Sequence, residues 1–140
     1  MSRVGFRLEA AEVTPGQKLD QVVHTIERAD LVRYAGASGD FNPIHWNDEW
    51  ARSVGLPGVI AHGMFSMGVA ARIISAFAGD PAAIKRLRVR FSAMIQPGQT
   101  LTVSGEVGAV DGRRVSIRFW GEDESGNRVV SKGEAELELA

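Results

Sequence analysis

A chain of 140 residues with 44% hydrophobic and 24% charged residues has the length and composition of one ordinary globular domain, residues 1–140. Its formal net charge of −1 offers no basic field for nucleic acid or an anionic membrane surface. The lack of cysteine excludes disulfides, thiol nucleophiles and thiolate metal sites.

The first 13 residues carry Arg3, Arg7 and Glu9 and no apolar core, which does not fit a secretory signal. Leu19, Gln21, Val23 and Thr25 alternate with Lys18, Asp20, Val22 and His24, predicting a first strand. Thr25 is positioned to cap a short helix through Asp30 and Tyr34 that ends at Gly36. A second short helical piece is expected over 47–54, stopped by Gly55 and Pro57. From 62 to 77 apolar residues occupy nearly every face, predicting a helix buried on most sides and ended by Gly79-Asp80-Pro81. His62 and Arg72 interrupt the apolar runs 59–65 and 69–78, so neither has membrane-spanning length and no membrane insertion is expected. A cytoplasmic enzyme or binding domain is the default that follows.

After residue 85 the period changes to two. Leu87, Val89, Phe91, Ala93 and Ile95 alternate with Arg86, Arg88, Arg90, Ser92 and Met94. Further strands are expected over 101–107 and 114–120, with a last one through Leu139. Pro97-Gly98, Asp111-Gly112 and Ser125-Gly126-Asn127 supply the turns. One strand, one mostly buried helix and a four-strand antiparallel meander make an α+β fold, a sheet wrapped around an apolar helix. Such a sheet keeps a face or an edge free to dimerise.

The segment from Tyr34 to His45 carries the chemistry. Gly39 lets the chain bend before Asp40, and Asn42-Pro43 turns it again before His45. The pair reads in two ways: a turn Asp and a locally satisfied His, or an acid/base pair converging on one water. Ser38 and Asn42 either orient the pair or merely close the turn. A second polar cluster, Ala61-His62-Gly63-Met64, opens the apolar helix, whose first turn has unpaired N–H groups and the positive end of the dipole. Gly63 has no side chain to block an oxyanion from its N–H, with close packing as the alternative. His62 is read first as a donor to a loop carbonyl. A facial triad of Asp40, His45 and His62 lacks the paired spacing of metal motifs, so no metal and no cofactor is assigned. Trp46 and Trp50 either pack the short helix onto the core or line an acyl channel with Met64 and Phe65. Arg86, Arg88 and Arg90 form a stripe that is either a solvated face or a binding surface for a phosphate-bearing carrier.

Tyr34…Ser38-Gly39-Asp40-Phe41-Asn42-Pro43-Ile44-His45…Ala51 resembles the hydratase-2 motif of MaoC-like (R)-specific enoyl-thioester hydratases. The resemblance continues through Gly58…Ala61-His62-Gly63-Met64, Val89-Arg90-Phe91 and Pro97-Gly98-Gln99-Thr100-Leu101. Its wording is most similar to the catalytic subunit of mycobacterial (3R)-hydroxyacyl-acyl-carrier-protein dehydratases. The resemblance implies a hot dog fold, with the long helix inside a five-strand sheet and a short overhanging helical segment carrying the site. It implies an Asp40/His45 dyad, Gly63 N–H as oxyanion donor, and Ser38 and Asn42 as supports; His62 joins them as a support on its own reading as a donor to a loop carbonyl. It further implies reversible hydration of a trans-2-enoyl thioester of CoA or acyl carrier protein, in a homodimer or a heterodimer with a related hot dog subunit. Two other functions compete: a hot dog thioesterase, disfavoured because 62–78 contains no Asp or Glu, and a non-catalytic acyl-thioester-binding subunit, which would not need the Asp/His pair.

Overall fold

A computed structural model describes residues 7–140; the reading of Arg3 lies outside them. Among the described residues, the strands are β1 (Val22–Thr25), β2 (Ile84–Phe91), β3 (Thr100–Asp111), β4 (Arg114–Glu122) and β5 (Arg128–Glu138). The α-helices are α1 (Arg28–Ser38), α2 (Asp48–Ser53) and α3 (Gly63–Ala78). The five strands form one antiparallel sheet in the order β1-β3-β4-β5-β2, with α3 against one face. This is the expected hot dog arrangement.

The order corrects the four-strand meander. Only β3, β4 and β5 run as consecutive hairpins; β2 crosses to the far edge and pairs with β5, while β1 pairs with β3. The Pro97-Gly98 turn signal is real, with Gly98 at φ +90°, but it redirects the chain across the sheet instead of closing a hairpin. Period-two patterning reports faces and says nothing about neighbours.

The sheet's inner face carries Leu101, Val103, Val107, Val115, Ile117, Phe119, Ala135 and Leu137, all buried against Val69, Ala70, Ile73 and Ile74 of α3. Each large side chain removed from water this way contributes roughly 1.5–3 kcal/mol. As expected, α3 is covered on most sides; one stripe, Met64, Gly68, Arg72 and Ala76, four residues apart, lies exposed in the single chain. The first strand is also out of phase with its reading. Leu19 is buried, but Val22 and His24 then turn inward and Val23 outward, because the pairing with β3 slips by one residue between Lys18↔Glu106 and Val22↔Val103.

Helix α1 begins later and runs longer than its sequence suggested. Glu27, not Thr25, caps it in a capping box with Asp30, and Gly36 lies inside it. Gly39 stops it at φ +77°, a left-handed conformation that glycine adopts without strain. That C-cap delivers the chain directly to Asp40.

Candidate active site

Three successive side-chain turns shape the loop from 38 to 47. Ser38 Oγ–H donates to the Tyr34 carbonyl (2.7 Å) and accepts from Asp40 N–H (3.1 Å). Asp40 Oδ1 accepts from Asn42 N–H at 3.2 Å. Asn42 Oδ1 accepts from Ile44 N–H at 3.2 Å and caps the 3₁₀ turn Pro43–His45. Each short polar side chain bonds backbone two to four residues away, which is why Ser, Asp and Asn stand at these positions.

The loop brings Asp40 and His45 together. His45 Nε2 lies 3.7 Å from Asp40 Oδ2; the imidazole is buried and the carboxylate 53% exposed. His45 Nδ1 lies 2.7 Å from the Ile60 carbonyl, which can only accept, so Nδ1 carries the proton. In the neutral form of the ring it is Nε2, the nitrogen facing Asp40, that is left as the acceptor. Ile60 is held in turn by its own N–H to Ile44 O (3.0 Å), and Val59 N–H donates to Asp48 Oδ1 (3.0 Å). The Val59 bond, followed by the Arg28 guanidinium at 2.8 Å, holds the Asp48 carboxyl below its ordinary value.

Gly63 opens α3 immediately after His62, whose ring stacks on that of His45. Phe65 and Ser66 N–H both reach back to the His62 carbonyl, whereas Gly63 and Met64 N–H have no acceptor among the described residues. These two donors stand at the positive end of a 16-residue helix. A Cβ on Gly63 would sit 3.0 Å from the Phe91 ring. Close packing and an open N–H thus coincide at this glycine.

His62 is buried, with Nε2 3.1 Å from the Asp40 carbonyl and its ring stacked on His45 at 3.7 Å and 19°. Burial pushes its imidazole below the ordinary value, partly offset by the bond to Asp40. Donor atoms of Asp40, His45 and His62 all lie within 4.8 Å of one another. With the ring planes 19° apart and the centroids 3.7 Å apart, however, one ion cannot lie in the plane of both imidazoles, as two histidine ligands require. The geometry suits a stacked pair of imidazoles better than a metal centre.

The remaining candidates are spread more widely. Phe65 packs edge-on against Tyr34 and His24, both with ring centroids 5.8 Å away. Trp46 donates Nε1–H to the Phe41 carbonyl (2.9 Å), yet Trp46, Trp50 and Met64 are each about half exposed. The packing role expected of the tryptophans falls instead to Ala51, fully buried on α2. Strand alternation sets Arg86, Arg88 and Arg90 on the sheet face opposite α3, where Arg88 pairs with Glu134 and a hollow of about 700 Å³ includes Arg88, Arg90 and Trp120 but not the dyad. Sequence reading passed over Asp48, the Ile60 carbonyl and Phe91 at Gly63. Of these, only Phe91 had a visible signal, its place on the inward alternation of β2.

Residues 10–125 match the model of the MaoC like domain. The chain belongs to the MaoC-like family. Over 108 residues, 75% of this chain, it is 38% identical to the fatty acid synthase subunit beta of Saccharomyces cerevisiae, of which the match spans only 5%. It is 33% identical over 101 residues to the mouse peroxisomal multifunctional enzyme type 2, covering 71% of this chain and 14% of that protein. In structure it is similar to the unliganded R-hydratase PhaJ1 from Pseudomonas aeruginosa. The TM-score is 0.85 at 30% identity, over 95% of this chain and 86% of that one. Membership of the MaoC-like family supports hydration or dehydration of enoyl thioesters as the general chemistry. Among the described residues no helix is long and apolar enough to cross a membrane.

Proposed function

We propose that this chain catalyses the reversible syn hydration of trans-2-enoyl thioesters to (3R)-hydroxyacyl thioesters. The observation that carries the proposal is the 3.7 Å gap between Asp40 Oδ2 and His45 Nε2. It exceeds a direct hydrogen bond, and both atoms accept, so one water can donate a hydrogen to each. The lone pair of that water then faces the substrate.

In the hydration direction the water oxygen bonds C3 while the dyad takes up one of its protons. The C2=C3 electron pair moves toward the thioester carbonyl, and the dyad returns a proton to C2 on the same face. Water is consumed and the dyad is regenerated. Gly63 N–H and the helix dipole stabilise the enolate-like oxygen, a contribution of about 3 kcal/mol for one well-aimed donor. The carboxyl and imidazole groups act as one coupled unit through the shared water. Ser38 and Asn42 hold the loop that aims them.

The thioester carrier is CoA or acyl carrier protein. A second hot dog subunit, identical or related, fits the β2 edge, where half-exposed Phe91 and Met94 lie beside an eight-residue strand with no neighbour on its outer side among the described residues. The test is a panel of trans-2-enoyl-CoA and enoyl-carrier-protein substrates of increasing length, followed by loss of the conjugated thioester absorbance and, in parallel, by a thiol reagent. Hydration without thiol release supports the proposal. Thiol release without hydration assigns the chain to thioester hydrolysis instead.

A further inference from the structure

We propose that His62 is a positioning residue that joins the dyad to the oxyanion donor, by its Nε2–H to the Asp40 carbonyl and by its ring stacked behind His45. The inference rests on the hydratase reading of the site and assigns His62 two separable tasks within it.

The first task is registration. Asp40 and His45 are shaped by loop turns, whereas Gly63 belongs to α3; the Ile60 bonds to Ile44 and His45 anchor the His45 end of the loop to the segment before α3, and Asp40 needs an anchor of its own. His62 is the residue immediately before Gly63, and its Nε2–H reaches 22 residues back to the Asp40 carbonyl at 3.1 Å. That bond ties the Asp40 backbone to the residue that precedes the Gly63 N–H. A misplacement of about 1 Å in such a pair costs on the order of 100-fold in rate.

The second task concerns charge. The imidazoles of His62 and His45 stack at 3.7 Å, and the edge of Tyr34 abuts His62 at 4.7 Å and 60°. His62 is 2% exposed and its Nδ1 has no hydrogen-bond partner among the described residues. An unpartnered ring nitrogen in a buried ring is costly, and a satisfied donor or an apolar ring would remove that cost. A plain clamp would not need this histidine. As the back wall of His45, however, a neutral ring accepts a transient neighbouring cation, whereas a charged one would oppose it. The titratable groups around His62 are His45 and Asp40 from the loop and Tyr34 from α1. Burial holds its imidazole below the ordinary histidine value, consistent with a ring that stays uncharged near neutrality.

The experiment compares full-length wild type with His62→Phe, which keeps a stacking ring without the donor, and His62→Gln, which keeps a donor without the ring. For His62→Phe we expect kcat to fall about 10- to 100-fold with KM changed less than about 3-fold, and an unfolding midpoint not lowered by more than about 3 °C. For His62→Gln we expect a smaller loss of kcat together with a shift of about half a pH unit in the acidic limb of kcat/KM. In wild type, ¹⁵N NMR of the imidazoles should show His62 as the Nε2–H tautomer, uncharged between about pH 6.5 and 8. Both variants within about 2-fold of wild-type kcat with an unshifted profile, or losses that track the unfolded fraction alone, overturn the inference. So does an NMR spectrum in which His62 is charged or carries the other tautomer. A wild type that turns over no enoyl thioester refutes the hydratase reading itself, and the NMR result still decides the state of His62.

Discussion

Replacing Asp40 by Asn separates the chemistry of the loop from its architecture. The Asn side chain keeps an oxygen that accepts from Asn42 N–H, a bond of 3.2 Å in the native loop, so the turn that presents residue 40 survives. What changes is the oxygen 3.7 Å from His45 Nε2, which becomes an uncharged amide nitrogen. At that separation a carboxylate and an imidazolium attract by about 1 kcal/mol in bulk water and about 4.5 kcal/mol at an effective dielectric of 20. Because the carboxylate is half exposed, a value of about 1–2 kcal/mol applies, roughly a 5- to 30-fold loss of transition-state stabilisation from charge alone. The lost proton acceptor adds to this, and kcat is expected to fall by at least about 100-fold. The assay is steady-state hydration of a short trans-2-enoyl-CoA alongside a thermal melt. An Asp40→Asn protein that keeps more than about a tenth of the wild-type kcat, or loses activity only in step with folding, would refute the reasoning.

Gly63→Ala places a methyl 3.0 Å from a half-exposed Phe91 ring that has room to give, so it should fold while losing about 100-fold in kcat because the oxyanion approach is crowded; melts and initial rates check both parts. Asp48→Ala frees Val59 N–H and Arg28 next to the carbonyl that holds His45. A roughly 10-fold lower kcat with a lower unfolding midpoint is expected, although the residue touches no substrate. Stability should depend on pH through His62. Its folded-state proton affinity lies below the ordinary value of 6.5, so the unfolded chain binds more protons near pH 6. This contribution is fully present well above pH 6.5 and is lost as pH falls from there toward the lower folded value. Urea unfolding of wild type between about pH 5 and 8, compared with His62→Phe, should show that slope in wild type and a smaller one in the variant.

How much of this could be read from the sequence differs by element. The loop was legible because its Ser, Asp and Asn side chains bond backbone within four residues, so sequence spacing and spatial spacing coincide. The sheet faces were legible for a similar reason, since strand alternation is local. The order of strands was not, because the crossover of β2 to β5 depends on packing around α3 and not on any residue of β2. The same limit hid Asp48, whose partner Val59 lies 11 residues away, and the Ile60 carbonyl, which has no side-chain signature. The exposed stripe of α3 was not visible because three of its four residues, Met64, Gly68 and Ala76, are no more polar than the buried ones, and only Arg72 marks it.

The most direct test of the account is the stereochemistry of one turnover. Crotonyl-CoA is incubated with the wild-type protein in D₂O and the product is analysed by chiral separation and ¹H NMR coupling. The account requires (3R)-3-hydroxybutyryl-CoA carrying deuterium at C2 on the same face as the new hydroxyl, since one dyad serves both atoms. A (3S) product, anti addition, or release of free CoA without hydration would contradict it.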